Sequence, residues 1–334
     1  MKGKTVFVTG ADGFIGSHLV EALVKQGAKV KALVYYNSFD SRGWLDTVAQ
    51  DVLSSVEVIP GDVRDPQHME RVSKDADVVF HLAALIGIPY SYVAPDLYIQ
   101  TNINGTLNLL NAVRKWGRAK FIHTSTSEIY GSAQFVPITE EHPVNPQSPY
   151  AASKAAADHL ALSYYCSFDT PVTVVRPFNT FGPRQSTRAI IPTIMTQMKQ
   201  KFPLVKVGSL VPTRDFTFVE DTALGFIAAA NSDAAAGKVV QLGSNFEISI
   251  GDLISAIAAV LNVKPEIQTE EQRMRPEKSE VQRLWASNTK AKELLNWKPK
   301  YESKDGFMKA LKITADWFSD PVNLGHYKIG QYTV

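Results

Sequence analysis

The chain has 334 residues, with 35 Lys and Arg against 33 Asp and Glu and a formal net charge of +2. That balance argues against nucleic acid or an anionic membrane surface as the main partner. A single cysteine, Cys166, excludes an internal disulfide framework and a cysteine-built zinc site. The apolar stretch after Met1-Lys2-Gly3-Lys4 is too short for a signal peptide, and no run reaches the roughly 18 apolar residues of a membrane span. The expectation is a soluble cytoplasmic protein.

The first half alternates short β-like runs with helical patterns. Thr5-Val6-Phe7-Val8-Thr9 is a β-branched run ending at Gly10, as a buried parallel strand would. Residues 14–26 carry Ile15, Leu19, Val20 and Leu23 at helical spacing and stop at Gly27. Strands are predicted over 29–35, 56–59, 77–81, 119–124 and 171–176, with helices over 97–116 and 150–167. Such alternation implies right-handed βαβ units and an α/β fold with a doubly wound parallel sheet. Beyond Arg176, prolines at 177, 183, 192, 203 and 212 cut the chain into shorter pieces. A helix over 219–231 and a strand over 237–242 return to the first lobe. Further helices are predicted over 250–261, 288–295 and 303–318. The division is thus 1–176 plus about 215–243 for one domain, and about 177–214 with 244–334 for a smaller, mostly helical lobe.

Gly10-Ala11-Asp12-Gly13-Phe14-Ile15-Gly16 sits between the first strand and the first helix. Glycine there permits a tight turn, close approach to a pyrophosphate, and tight helix–strand packing. The helix N-terminus adds amide donors and a partial positive charge. A glycine-rich turn without a ligand is the alternative. Tyr150 and Lys154 lie four residues apart, on one helix face. A free tyrosine has a pKa of about 10, so bringing it near neutrality requires about 4 kcal/mol, which a nearby ammonium and a cationic cofactor can contribute. A surface Tyr–Lys pair on an amphipathic helix is the plainer reading.

In this order the motifs resemble the extended branch of the short-chain dehydrogenase/reductase superfamily, whose members act on nucleotide sugars on a Rossmann sheet. The resemblance places the cofactor against Gly10, Asp12, Gly13, Phe14, Ile15 and Gly16, then Asp62 and Val63 after the third strand. Leu82, Ala83 and Ala84 follow the fourth strand, with Thr124, Tyr150, Lys154 and Pro177 further on. Asn102-Ile103-Asn104-Gly105-Thr106 resembles a structural segment of the family. Tyr35, Asn37 and Arg42 follow the second strand, where an NAD site usually has an acid; here there is none. The cofactor is therefore NAD or NADP, and Arg42 is the candidate reader of a 2′-phosphate.

Thr126-Ser127-Glu128 resembles the Thr-Ser-Glu of GDP-mannose 4,6-dehydratases and, less closely, the Thr-Asp-Glu of the dTDP-glucose enzymes. The resemblance implies oxidation at C4, proton removal from C5 by Glu128, loss of water across C5–C6, and hydride return to C6. Thr126 then positions substrate, Tyr150 takes the hydroxyl proton, and Lys154 lowers the tyrosine pKa. Ser127 departs from the aspartate acid of the dTDP enzymes, leaving protonated Glu128 or a water to serve the departing hydroxyl. Glu128 as a mere loop carboxylate is the alternative, and a 4-epimerase or a non-catalytic dinucleotide sensor are the competing functions. Asn179, Arg214 and Arg275 fall at family substrate positions, and arginine's fixed fork suits a diphosphate. The loop 35–46 resembles 4,6-dehydratases that process an N-acetylglucosamine nucleotide toward legionaminic-acid-type sugars, with GDP- before UDP-N-acetylglucosamine. A homodimer through the helices at 97–116 and 150–167 is implied as well. The histidines show no metal-ligand spacing; His81 and His123 read as structural, and Cys166 as core filler. Replacing Arg42 with alanine is expected to weaken NADP⁺ binding more than NAD⁺ binding if Arg42 reads the phosphate; calorimetric titration showing equal loss, or none, rejects that role.

Overall fold

The computed structural model describes residues 1–200 and 203–328. Its first strands are β1 (Thr5–Thr9), β2 (Lys29–Tyr35), β3 (Val56–Gly61), β4 (Val78–His81), β5 (Lys120–Thr124) and β6 (Val172–Pro177). The remainder are β7 (Asn179–Phe181), β8 (Leu204–Val207), β9 (Thr213–Phe218), β10 (Lys238–Leu242), β11 (Glu247–Ser249) and β12 (Glu266–Thr269). Among the described residues, seven strands form one parallel sheet in the order β10-β6-β5-β4-β1-β2-β3. The chain steps outward from β1 to β2 and β3, then resumes on the other side of β1 with β4. A crevice opens at the carboxyl ends of β1 and β4, where doubly wound sheets hold ligands.

Both faces of the sheet are covered, so its central strands are mostly apolar and buried. Val6 and Val8 pack on one face with Leu19, Val20 and Leu23 of helix Phe14–Lys25 and Phe226 of helix Val219–Asn231. Phe7 points to the other, against Leu109, Leu110 and Val113 of helix Gly105–Trp116. Tyr164, from helix Pro149–Phe168, completes that side. The last helix begins cleanly: Pro149 fits the first turn, and Ser148 Oγ accepts from Ala151 N at 3.1 Å.

The remaining elements gather round a separate core of Phe181, Ile194, Met195, Phe216, Phe218, Leu253, Ile257 and Phe307, so Phe216 and Phe218 pack here although they fall in the 215–243 stretch expected in the first domain. These elements include two small sheets, β11-β9-β7 and β12-β8, beside the predicted helices. β10 joins the large sheet beside β6. Residues 201–202 and 329–334, which fall in the expected second lobe, lie outside the described residues.

Two expectations need correction. The helix expected over 97–116 is interrupted: a turn at Pro95–Tyr98 and a π-helical segment at Ile99–Asn104 precede helix Gly105–Trp116. The segment carries Asn102 to a bridging position, with Oδ1 accepting from Leu85 N at 2.8 Å and Nδ2 donating to Leu85 O at 3.0 Å and Ser153 Oγ at 2.9 Å. Cys166 is exposed rather than core filler, because it falls on the outward side of its helix.

No described helix is long and apolar enough to cross a membrane. A Cβ at Gly16 would stand 2.0 Å from Gly10 O, whereas one at Gly13 would meet the same oxygen at 3.2 Å. Gly16→Ala is therefore expected to destabilise the fold by about 2–3 kcal/mol, and Gly13→Ala by clearly less. Thermal melts of both variants check the difference.

Candidate active site

The turn after β1 lies against the chain leaving β4. Gly10 has φ 67°, and a Cβ there would be 2.8 Å from Ala83 N. Leu82 N donates to Thr9 O at 3.2 Å and Ala83 N to Thr9 Oγ1 at 3.1 Å, so Leu82-Ala83-Ala84 runs along the crevice floor. Helix Phe14–Lys25 starts from Gly13 without a side-chain cap, leaving first-turn amides for an anion.

The loop after β2 closes over this turn. Asp12 accepts from Tyr35 N at 3.1 Å through Oδ2 and from Trp44 N at 3.0 Å through its carbonyl. Burial pushes the Asp12 carboxyl up, against the Tyr35 amide bond. The Asn37 side chain bonds Tyr35 O, Ser41 O, Phe39 N and Ser41 N, so its polar atoms serve the loop itself. Arg42 Nε pairs with Asp46 at 3.0 Å. Asp62 is clasped by Arg64, whose Nη2 lies 2.5 Å from Oδ2 and whose hydrogen bonds hold the carboxyl below its usual range. Val63 is buried, touching the space beside Gly105 and accepting from Asn108 at its carbonyl.

At the end of β5 and the start of β7, two buried polar atoms lack partners: Thr124 Oγ1 and Asn179 Oδ1. Together with the glycine cradle and free helix amides, they form a surface suited to a dinucleotide and a polar substrate. Thr126 caps the short turn Ser127–Tyr130, accepting from Glu128 N at 3.2 Å. Ser127 is 2% exposed and Glu128 8%. Thr126 also hydrogen-bonds Tyr150.

Tyr150 and Lys154 are buried on the inward face of helix Pro149–Phe168. Burial pushes the Tyr150 phenol well up; the Thr126 bond opposes this, while the charge of Glu128 adds to it. Burial pushes the Lys154 ammonium down to about 8, with Asp158 acting against the shift. In the protein alone, desolvation of the phenolate outweighs the Thr126 contribution.

On the other wall, Arg214 of β9 is 6% exposed, with Nη1 donating to Thr213 O at 2.9 Å and Nη2 3.4 Å from Glu280 Oε1. Arg275 Nη1 stands 3.6 Å from Glu128 Oε2 and 3.8 Å from Glu280 Oε1. The structure thereby joins Glu128 and both arginines in one cluster. The sequence reading missed Glu280, Arg64, and the buried Asp158–Arg176 pair at 3.0 Å. Of these, Asp158 had a signal, since it falls one helical turn after Lys154. Asp215, next to Arg214, faces the opposite way and ties Ser244 and Ala286 to β9; burial pushes it up to about 6. Pro177 ends β6 beside Leu242 of β10.

A family model described as GDP-mannose 4,6 dehydratase matches residues 7–310. The chain belongs to this family. Its members lie within the extended short-chain dehydrogenase/reductases, among enzymes that are nucleotide-sugar 4,6-dehydratases or 4-epimerases. A dTDP-glucose 4,6-dehydratase of Streptomyces antibioticus is 30% identical over 94% of this chain and 92% of its own. The UDP-N-acetylglucosamine 4-epimerase of Methanobrevibacter ruminantium M1, solved with UDP-N-acetylmuramic acid, superposes with a TM-score of 0.85 at 31% identity, covering 96% of this chain and 99% of its own. A dTDP-glucose 4,6-dehydratase from Bacillus anthracis, solved with NAD, gives 0.83 at 27% identity over 97% and 99%. For a family member with this cleft, replacing both Arg214 and Arg275 with alanine is expected to raise the nucleotide-sugar KM about 100-fold, two charged hydrogen bonds being lost. Dinucleotide affinity should hold within about twofold; steady-state kinetics and calorimetry check both, and unchanged substrate saturation overturns the assignment.

Proposed function

We propose that the protein is a nucleotide-sugar 4,6-dehydratase that uses NAD and converts an NDP-hexose, GDP- or UDP-N-acetylglucosamine, to its 4-keto-6-deoxy form. The observation that carries this reading is Glu128: a second protein base, buried in the cleft two residues past Thr126 and adjoining the Tyr150 site. A 4-epimerase needs Tyr150 and Lys154 but no base for C5. Support for NAD comes from the corner beyond β2, where Arg42 and Arg64 are each paired with a carboxylate rather than free for a 2′-phosphate. The Bacillus anthracis relative was solved with NAD.

When bound, the oxidised dinucleotide supplies a hydride acceptor that can return the hydride, and a positive charge that favours the phenolate. The rest of the work falls to side chains. Thr126 and Tyr150 form the proton path from the C4 hydroxyl, with Tyr150 as base. Lys154 lends its charge to the phenolate. The C4 ketone acidifies C5–H, and Glu128 removes that proton. Protonated Glu128, with Ser127 alongside, then serves the departing C6 hydroxyl, so one carboxyl both takes and returns the proton. Arg214, Arg275 and Asn179 hold the diphosphate end of the substrate and thereby fix the sugar over Glu128.

The epimerase reading is favoured by one observation, the close superposition on the Methanobrevibacter enzyme. A homodimer is part of this proposal, through the outer faces of helices Gly105–Trp116 and Pro149–Phe168. Of the alanines on the second helix, Ala152 and Ala156 are exposed, while Ala151, Ala155 and Ala157 are buried within the chain.

Mass spectrometry of GDP- and UDP-N-acetylglucosamine after incubation should show loss of one water from one of them; a product of unchanged mass with inverted C4 establishes the epimerase instead. Glu128→Gln is expected to slow water loss by about 100-fold or more while cofactor reduction in the first half-reaction changes only a few-fold. Wild-type turnover in that variant removes Glu128 as the C5 base.

A further inference from the structure

Helix Pro149–Phe168 buries Tyr150, Lys154 and Asp158 on one face at four-residue steps. The Asp158 carboxylate is closed off from water. Its Oδ2 accepts from Ser125 Oγ at 2.8 Å and Arg176 Nε at 3.0 Å, and its Oδ1 faces His123 Nε2 at 3.3 Å. Arg176 Nη1 in turn donates to Tyr130 Oη at 2.8 Å. No step of the reaction described above uses any of these four partners.

The charges around Lys154 can be taken element by element. From β4, His81 is bonded at both ring nitrogens, to Thr9 Oγ1 at 2.8 Å and Thr106 Oγ1 at 3.0 Å. Burial and the lysine charge push it down, so it is neutral. From β5, His123 is lowered for the same two reasons. From β6, Arg176 is matched by Asp158. The π-helical segment presents the neutral Asn102. Tyr98 packs edge-on to Tyr150 with ring centroids 6.3 Å apart, and Tyr90 stands behind it. Glu128 acts on Tyr150 from the turn beyond β5 and is faced by Arg275. One buried carboxylate therefore stands among two buried cations, Arg176 and Lys154. Asp158 is also the group that opposes the loss of the lysine's proton to burial, while its charge by itself works against a phenolate at Tyr150.

We propose that Asp158 is a positioning residue for this active site: anchored by Ser125 and Arg176, it fixes a negative charge one helical turn behind Lys154 and so keeps the lysine protonated beside Tyr150. The arrangement leaves one positive charge unmatched on the helix face, and a phenolate at Tyr150 is the group that matches it. The inference rests on the reading of Tyr150 and Lys154 given above, which dehydratase and epimerase share, so it stands apart from the outcome of the water-loss assay.

Asp158→Asn keeps the shape and an acceptor for Ser125 and Arg176 while removing the charge. Turnover requiring charged Lys154 falls as pH rises through the lysine's midpoint, and in the variant this fall should move to lower pH by about one unit. Because the change strands Arg176, the double variant Asp158→Asn/Arg176→Gln removes that cation too. It should recover melting temperature and keep the displaced pH profile. A second readout needs neither substrate nor cofactor. Lys154 titrates near 8 when folded against 10.5 as its ordinary value. The unfolded chain thus binds more protons between those values, and the lysine makes stability rise with pH across them. Melting temperatures against pH, with Lys154→Met as the blank, should place the onset of that rise about one unit lower in Asp158→Asn. A variant that melts lower yet keeps the wild-type pH profile and onset shows Asp158 to be structural only and overturns the proposal. If Lys154→Met leaves turnover intact, the shared Tyr–Lys reading fails, while the melting experiment still reports whether Asp158 and Lys154 are coupled.

Discussion

Taking an ammonium and a phenol out of water and setting them one helical turn apart is the constraint around which this protein is arranged. Burial disfavours the charged forms of both Lys154 and Tyr150, the very forms that proton transfer requires. The fold answers separately for each: Asp158 on the same helix face favours the ammonium while disfavouring the phenolate, and Thr126 favours the phenolate.

The same logic of matched charge governs the opposite wall. Arg214 and Arg275 meet Glu128 and Glu280 at 3.4–3.8 Å, two cations against two carboxylates. Those separations are long for fully formed ion pairs, and an arginine in such contacts retains donors for a diphosphate. β9 supplies Arg214 to the cleft and turns Asp215 inward, where it accepts from Ser244 and Ala286 and ties the chain of the second lobe to the strand. Alternation along one short strand thus sends one residue to the acidic cluster and the next into the chain's interior.

Much of the arrangement was legible before any coordinates. The glycine turn could be read because only glycine tolerates the 2.0 Å and 2.8 Å approaches that Gly16 and Gly10 would impose on a Cβ. Tyr150 and Lys154 could be read because a four-residue step on a helix fixes a shared face. The interruption at Ile99–Asn104 could not, since it answers to Leu85 and Ser153, distant in sequence and adjacent only once folded. Cys166 was misplaced because helix Pro149–Phe168 carries polar residues on both sides, Ser153, Lys154 and Asp158 buried and His159 and Ser163 exposed, leaving no pattern to say which side faces solvent.

The sequence by itself determined the alternation of strands and helices, the glycine turn after β1, and the spacing of Tyr150 and Lys154, since each rests on local geometry and steric size. Only the tertiary structure decided which carboxylate meets which cation: Asp158 with Arg176, Asp62 with Arg64, Glu128 and Glu280 with Arg275. Charge pairing acts through space over a few ångströms and is strengthened by burial. Neither distance nor burial is written in the order of residues along the chain.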